Sequence, residues 1–236
     1  MTSIALDLGE LGTFDDSGVN PSCLVTVNGV KQLFYIGWQR AVRVPYLLFA
    51  GIAEGQADGT FRRRSRQTPV FDRTDAEPFL RSAPMVLPVD GGYLAWYVSG
   101  VAWTTVDGKQ VPAYVIRCAR SSDARVWCAI PGICIGPCCA EEYGFGRPWV
   151  IRDGSRYRMW YSIRSRSQPY RIGYAESEDG LTWTRRDRDV GIGRAESGWD
   201  SEMVCYPCVV DLHGERYMFY NGNCHGQTGF GVAVLE

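Results

Sequence analysis

Lysine is almost missing from this chain: Lys31 and Lys109 are the only two, and arginine carries the rest of the basic charge. Acids and bases nearly cancel, 26 against 25, leaving a formal net charge of -1. That balance excludes a general electrostatic attraction to nucleic acid or to an anionic membrane. No apolar run reaches the roughly 18 residues that a membrane-spanning helix needs. The opening MTSIALDLGEL has neither a basic n-region nor a long apolar core, so no secretion signal is expected. Histidine is limited to His213 and His225, too few to argue a Ser/His/Asp or Cys/His triad. A glycine-rich phosphate loop is absent, helical periodicity is nearly so, and no cofactor is implied.

Cysteine, by contrast, is plentiful. Nine in a chain without a signal read most simply as reduced thiols in the cytoplasm. Cys128, Cys134, Cys138 and Cys139 crowd one linker, and Cys205-x-x-Cys208 falls on a strand, where residues three apart point to opposite faces. Zinc needs four converging ligands, so no metal is expected.

Repetition is the other strong feature. Four modules, about 1–64, 65–128, 129–187 and 188–236, each open with a proline (Pro21, Pro84, Pro148, Pro207). Each places a tyrosine one strand later (Tyr35, Tyr97, Tyr161, Tyr220). Turns at Asn28-Gly29, Asp90-Gly91-Gly92, Asp153-Gly154 and His213-Gly214 mark the first hairpins. Third strands are expected over Tyr46–Ala53, Tyr114–Ala119, Tyr170–Ala175 and Gly229–Ala233, with fourth strands around Phe61, Trp127 and Trp183. A four-stranded meander recurring at about 60 residues predicts an all-β fold, a β-propeller. A β-sandwich of hairpins is the alternative, but it does not account for the period. The last module stops after three strands, leaving an edge for self-association or for Ile4–Leu8 to fill. The aromatics Tyr35, Trp96, Tyr97, Trp160, Tyr161, Phe219 and Tyr220 are expected in the core, and the run Arg62–Arg66 on a solvated outer edge.

In a propeller the innermost strand starts at the axial channel, so residues ahead of each opening proline should ring one mouth. An acid stands there in every module: Asp16, Glu77, Glu142 and Glu202, with Asp15, Asp75, Glu141 and Asp200 close by. Strand-two exits and lead-in segments add Trp38, Arg81, Trp103, Arg147, Arg164, Trp199, Asn221, Asn223 and His225. Carboxylates with indoles and guanidiniums suit a carbohydrate: indole stacks on sugar faces, polar groups bond hydroxyls, and paired acids can serve as acid and base. The bland alternative is that these acids pair with nearby arginines or cap turns.

The segments GTFDDSGVNPS, SEDGLTWTRR, ESGWDSEMVCYPCVV and YNGNCHGQTGFGVAVLE resemble the five-bladed propellers related to glycoside hydrolase families 32 and 43. They are more similar still to bacterial propellers found with surface-polysaccharide genes. The resemblance covers essentially the whole chain and implies a further N-terminal blade that this chain lacks. It implies a glycosidase-like function in which Glu202 matches the general acid, Glu142 the acid that tunes its pKa, and Asp16 the base or nucleophile. From their places at the strand ends, rather than from the resemblance, Asp15, Trp38, Glu77, Arg81, Trp103, Arg147, Arg164, Trp199, Asp200, Asn221, Asn223 and His225 are expected to contact the sugar. The proline expected two residues after the acid stands here five after Glu202. A non-catalytic binder of glycans or nucleotide-sugars is the other function consistent with the pattern.

Overall fold

The structure, a computed structural model, describes residues 5–235. It is all-β, a β-propeller built of antiparallel blades that follow one another along the chain. The first blade is β1 (Gly18–Val27), β2 (Val30–Arg40), β3 (Tyr46–Gly55) and β4 (Phe61–Arg63). The second is β5 (Arg81–Val89), β6 (Gly92–Val106), β7 (Lys109–Ser121) and β8 (Cys128–Ile135). The third is β9 (Glu142–Asp153), β10 (Arg156–Ser165), β11 (Arg171–Ser177) and β12 (Thr184–Arg185). The fourth has three strands among the described residues: β13 (Cys205–Leu212), β14 (Glu215–Asn221) and β15 (Phe230–Val234).

The chain gathers into two compact units. One runs to Ala113 and includes Arg117–Gly132; the other comprises Tyr114–Ile116 and everything from Ile133 onward. Among the described residues, no helix is long and apolar enough to cross a membrane.

The expected turns form for a definite reason. Asn28 and Gly29 have φ of 50° and 78°, and His213 and Gly214 have 54° and 86°. Two consecutive positive φ values give the hairpin twist that matches the flanking strands. Asp107 and Gly108, at 49° and 73°, make a further such turn. It starts β7 at Lys109, five residues ahead of the expected Tyr114. Trp127 and Trp183 precede β8 and β12 rather than lying within them. Trp183 donates its indole N–H to the Gly180 carbonyl, and Trp127 packs edge-on against Phe34.

The recurring aromatics build the core, as their alternation requires. Tyr35, Trp96, Tyr97, Trp160, Tyr161 and Tyr220 are buried, and Phe219 is half-buried. Within the first unit, the opening strands of its blades meet directly: Ser22 Oγ donates to the Pro84 carbonyl at 2.7 Å, and Val86 N donates to Cys23 Sγ at 3.3 Å. Within the second unit, Trp149 Nε1 donates to the Val209 carbonyl at 2.6 Å.

Two expectations need correction. Ile4 lies outside the described residues, but Ala5–Leu8 does not complete the last blade. The Ala5 carbonyl accepts a hydrogen bond from Phe61 N, and Leu6 packs on the cluster of Phe14, Tyr35, Phe49 and Ala53. The segment runs beside β4 because that edge offers both a free donor and an apolar seat. The arginine run is not uniformly a solvated edge either. Arg63 turns inward onto Asp15, and Arg64 pairs with Glu54.

Candidate functional site

Buried tyrosine hydroxyls explain where most of the acids go. A phenol held out of water requires a hydrogen-bond acceptor, and a buried carboxylate requires donors or a cation. In the first unit, Tyr35 donates to Asp15 at 2.9 Å, and Arg63 closes on the same oxygen at 2.7 Å. Asp15 is wholly buried. Tyr97 donates to Glu77 at 2.9 Å, and Arg81 pairs with Glu77 at 3.2 Å while lying over the Tyr97 and Phe71 rings. Burial first, then the adjacent carboxylate, pushes both phenols well above their ordinary pKa. Asp15, Glu77 and Arg81, expected at a ligand, are therefore taken up in packing. Asp16 is half-buried and accepts from Gly12 N and Ser17 Oγ, closing its own loop.

The first unit also carries an aromatic row. Trp38 donates its indole N–H to Asn20 Oδ1 at 2.6 Å and packs on Tyr46, ring centroids 4.9 Å apart. Tyr46 in turn meets Trp103 at 6.1 Å. All three rings are partly exposed.

In the second unit Tyr220 donates to Asp200 at 2.9 Å, which buries Asp200 as it does Asp15 and Glu77. Trp199 stacks on Tyr220 at 5.4 Å and lies flush against Gly222 and Gly231, where an added Cβ would fall 2.4 Å from the indole. Asn223 accepts from the backbone N–H groups of Glu202 and Met203 and donates to the Gly198 carbonyl, and Asn221 donates to the His225 carbonyl. Both asparagines thus pin the loops around Glu202, which is itself exposed.

Glu142 departs from the pattern. It is buried at the start of β9, with Arg171 at 2.8 Å on one carboxylate oxygen and Arg185 at 2.7 Å on the other. Burial alone would raise its pKa, but the Arg185 hydrogen bonds and charge and the Cys138 N–H outweigh it and hold it down to about 2. Glu142 is thus an ionised carboxylate across the physiological range and holds no proton to donate. Cys138, Cys139 and Glu142 bring possible ligand atoms within 4.8 Å of one another. With two guanidiniums already on Glu142, the donor set does not suit a cation.

Arg147, Arg164 and His225 come together. Arg164 is 8% exposed, and its guanidinium lies over Tyr143 at 4.7 Å, Tyr114 at 5.0 Å and Tyr170 at 5.8 Å. Arg147 lies over Tyr206 at 5.4 Å. The His225 ring stands edge-on to Tyr170 at 5.0 Å and stacks on Tyr206 at 5.9 Å. Enclosure and then the Arg164 charge lower the His225 pKa, so its imidazole is neutral at pH 7. The expected well of carboxylates is, in this unit, a cluster of arginines and tyrosines.

Sequence reasoning passed over Tyr46, Tyr143, Tyr170 and Tyr206 as site residues. A signal existed for some of them. The three complete modules have a tyrosine at the start expected for the third strand (Tyr46, Tyr114, Tyr170), and each contacts a residue singled out above. Tyr206 and Arg147 each immediately precede an opening proline, at φ of 59° and 52°.

No protein-family model matches the chain. By fold, it resembles a thermostable family-43 glycoside hydrolase at a TM-score of 0.70, with 19% identity, covering 90% of this chain and 70% of that one. It also resembles the Bombyx mori GH32 beta-fructofuranosidase BmSUC1 at 0.62, with 13% identity, covering 84% and 41%. Its fold is glycosidase-like in that sense. By sequence it is 40% identical over 228 residues to the uncharacterized proteins Rv1502 and MT1551 of two Mycobacterium tuberculosis strains, covering 97% of this chain and 75% of each relative. The chain belongs to the family of the uncharacterized mycobacterial proteins Rv1502 and MT1551.

Proposed function

We propose that this protein is a carbohydrate-active propeller that engages a glycan through the partly exposed aromatic and polar side chains at the strand ends. The observation that carries this reading is the row Trp38, Tyr46 and Trp103, three partly exposed rings in which Tyr46 contacts each tryptophan, on a glycosidase-like fold. Aromatic faces of this kind stack on sugar rings, and Asn20, Asp16 and Gln39 stand in or beside the same strand ends to bond hydroxyls. The nine cysteines are all unbridged, which suits action in a reducing compartment such as the cytoplasm.

As a hydrolase, the chain would use Glu202 to protonate the leaving group, with Glu142 as a fixed negative charge. Glu202 is exposed and so open to a ligand. A specific observation favours the non-catalytic alternative, a binder acting in polysaccharide assembly. Asp15, Glu77 and Asp200 are engaged by tyrosines and Glu142 by two arginines, which leaves few acids for chemistry.

Incubation with a panel of polysaccharides, reading both retention and release of reducing ends, tests the two forms together. Retention that falls at least tenfold (about 1.4 kcal/mol) in Trp38→Ala and Trp103→Ala is expected. Release abolished by Glu202→Gln, with retention kept, identifies the hydrolase; retention without release identifies the binder. A chain that retains no glycan refutes the reading.

A further inference from the structure

We propose that the uncovered face of the last blade, centred on Phe219, Phe230, Val232 and Val234, packs face to face against the same face of a second copy of this chain. The contact is independent of the glycan reading above.

The last blade differs from the others in its third strand. β3, β7 and β11 each bury consecutive residues, 48–53, 114–116 and 172–175, so both of their faces are covered there. Each also pairs with a fourth strand. β15 ends its sheet among the described residues and has no buried residue. Alternation sorts its side chains onto two faces. Gly231 lies against Trp199, and Ala233 packs on the cluster that holds Trp160, Tyr174 and Val209. Phe230, Val232 and Val234 turn the other way and are 68%, 49% and 49% exposed. Register extends that bare face across the sheet. Val232 stands opposite Phe219, which stands opposite Cys208; Val234 stands opposite Tyr217, which stands opposite Val210. Leu212, 48% exposed, prolongs the face on β13. An antiparallel sheet with one face in water carries polar residues on that face. Here both faces are apolar, the composition of a sheet covered on both sides.

Area and charge decide the occupant. The bare face offers roughly 500 Å² per chain, at the upper end of what a monomer leaves in water. Two copies would hide about 1,000 Å² together, the lower bound for a specific interface, so a dissociation constant in the micromolar range is expected. Residues 227–235 carry no charge, and Glu215 is the acid at the far end of the face. A two-fold axis running across the strands sets the Glu215 end of one copy against the Asn221 end of the other, which keeps the two acids apart. Pairing of the two β15 edges would not serve. Its two-fold axis would stand normal to the joined sheet, and the apolar faces would lie side by side, still in water.

Sedimentation equilibrium on the full chain between about 1 and 200 µM tests this, with a monomer–dimer equilibrium expected. Val232→Glu and Leu212→Glu, at half-exposed positions, should each weaken dimerisation at least tenfold (about 1.4 kcal/mol) with unchanged melting temperature. Val42→Glu, at a fully exposed residue in the first unit, should leave it unchanged. Should Val232→Glu melt early, Phe230→Ser at the most exposed position of the face takes its place. Leu212 stands two strands in from the β15 edge, so a loss with Val232→Glu but not with Leu212→Glu assigns the contact to strand edges and overturns the proposal. An equal loss with Val42→Glu overturns it too. So does a chain that stays monomeric throughout, whatever other protein the face then meets, or one that grows past the dimer, the mark of a contact that does not close.

Discussion

The first and third blades solve one problem with different pieces of chain. In the first, the buried Tyr35 hydroxyl finds its acceptor in Asp15, 20 residues upstream, and Tyr97–Glu77 and Tyr220–Asp200 keep the same separation. In the third, Tyr161 donates instead to Asp187, 26 residues downstream and beyond β12, at 2.6 Å. Arg185 then bridges Asp187 to Glu142, where Arg63 serves Asp15. The physical requirement is an acceptor for a buried phenol and a cation for the acceptor; the segment supplying them is free to vary. Because Asp187 does this work in the third blade, the lead-in acid Glu142 takes a separate place under two arginines.

The largest expected effect tests whether that bridge matters more than its first-blade counterpart. Arg185→Ala breaks two ion pairs at once, leaving Asp187 without this cation and Glu142, its side chain only 2% exposed, with Arg171 in place of two guanidiniums, and should destabilise the protein by about 3–5 kcal/mol. Arg63→Ala strips one buried acid that keeps its tyrosine donor and should cost about 1–3 kcal/mol. Urea unfolding monitored by tryptophan fluorescence measures both. Equal losses would show that the two arrangements are energetically the same and that the bridge adds nothing.

Acid should weaken the third blade through Glu142. Its carboxyl falls from an ordinary 4.5 to about 2 on folding, because the Arg185 hydrogen bonds and charge and the Cys138 N–H outweigh the burial that opposes them. A folded pKa below the unfolded one contributes stability that is complete above the unfolded value and lost as pH falls toward the folded one. Stability should therefore drop between pH about 4.5 and about 2 in the parent chain. Glu142→Gln should be less stable at neutral pH yet flatter over that window. An acid limb as steep in the variant as in the parent would assign the slope to other carboxylates.

Much of the fold was legible because strand alternation, turn residues and the proline–tyrosine repeat are local and recur four times. Asn28-Gly29 and His213-Gly214 favour hairpins through their own backbone preferences. The fate of the acids was harder to read. Measuring offsets from Pro21, Pro84, Pro148 and Pro207 put Asp16, Glu77, Glu142 and Glu202 in one class, whereas the shared spacing of 20 residues runs back from the tyrosines to Asp15, Glu77 and Asp200. Counting from Tyr161 lands on the exposed Glu141, whose carboxylate accepts from Ser167, and no local pattern announces that Asp187 replaces it. Arg147 and Arg164 were legible as polar residues near strand ends. Their enclosure by Tyr143, Tyr114 and Tyr206 depends on pairing across strands, which no single segment reveals.

The smallest effect sharpens the same contrast inside the run Arg62–Arg66. Arg63 and Arg66 have similar sequence surroundings, but Arg63 is 14% exposed on a buried acid, whereas Arg66 and its partner Glu10 are 72% and 65% exposed at 3.4 Å. An exposed pair gains little Coulomb energy in water, loses side-chain freedom and is screened by salt. Arg66→Ala should change unfolding free energy by less than about 0.5 kcal/mol, and 0.5 M salt (a Debye length of about 4 Å) should erase even that. A loss rivalling that of Arg63→Ala would mean that proximity to Glu10, rather than burial of Asp15, sets the worth of these arginines. Tyrosine-linked burial would then no longer distinguish the inner acids from the outer ones.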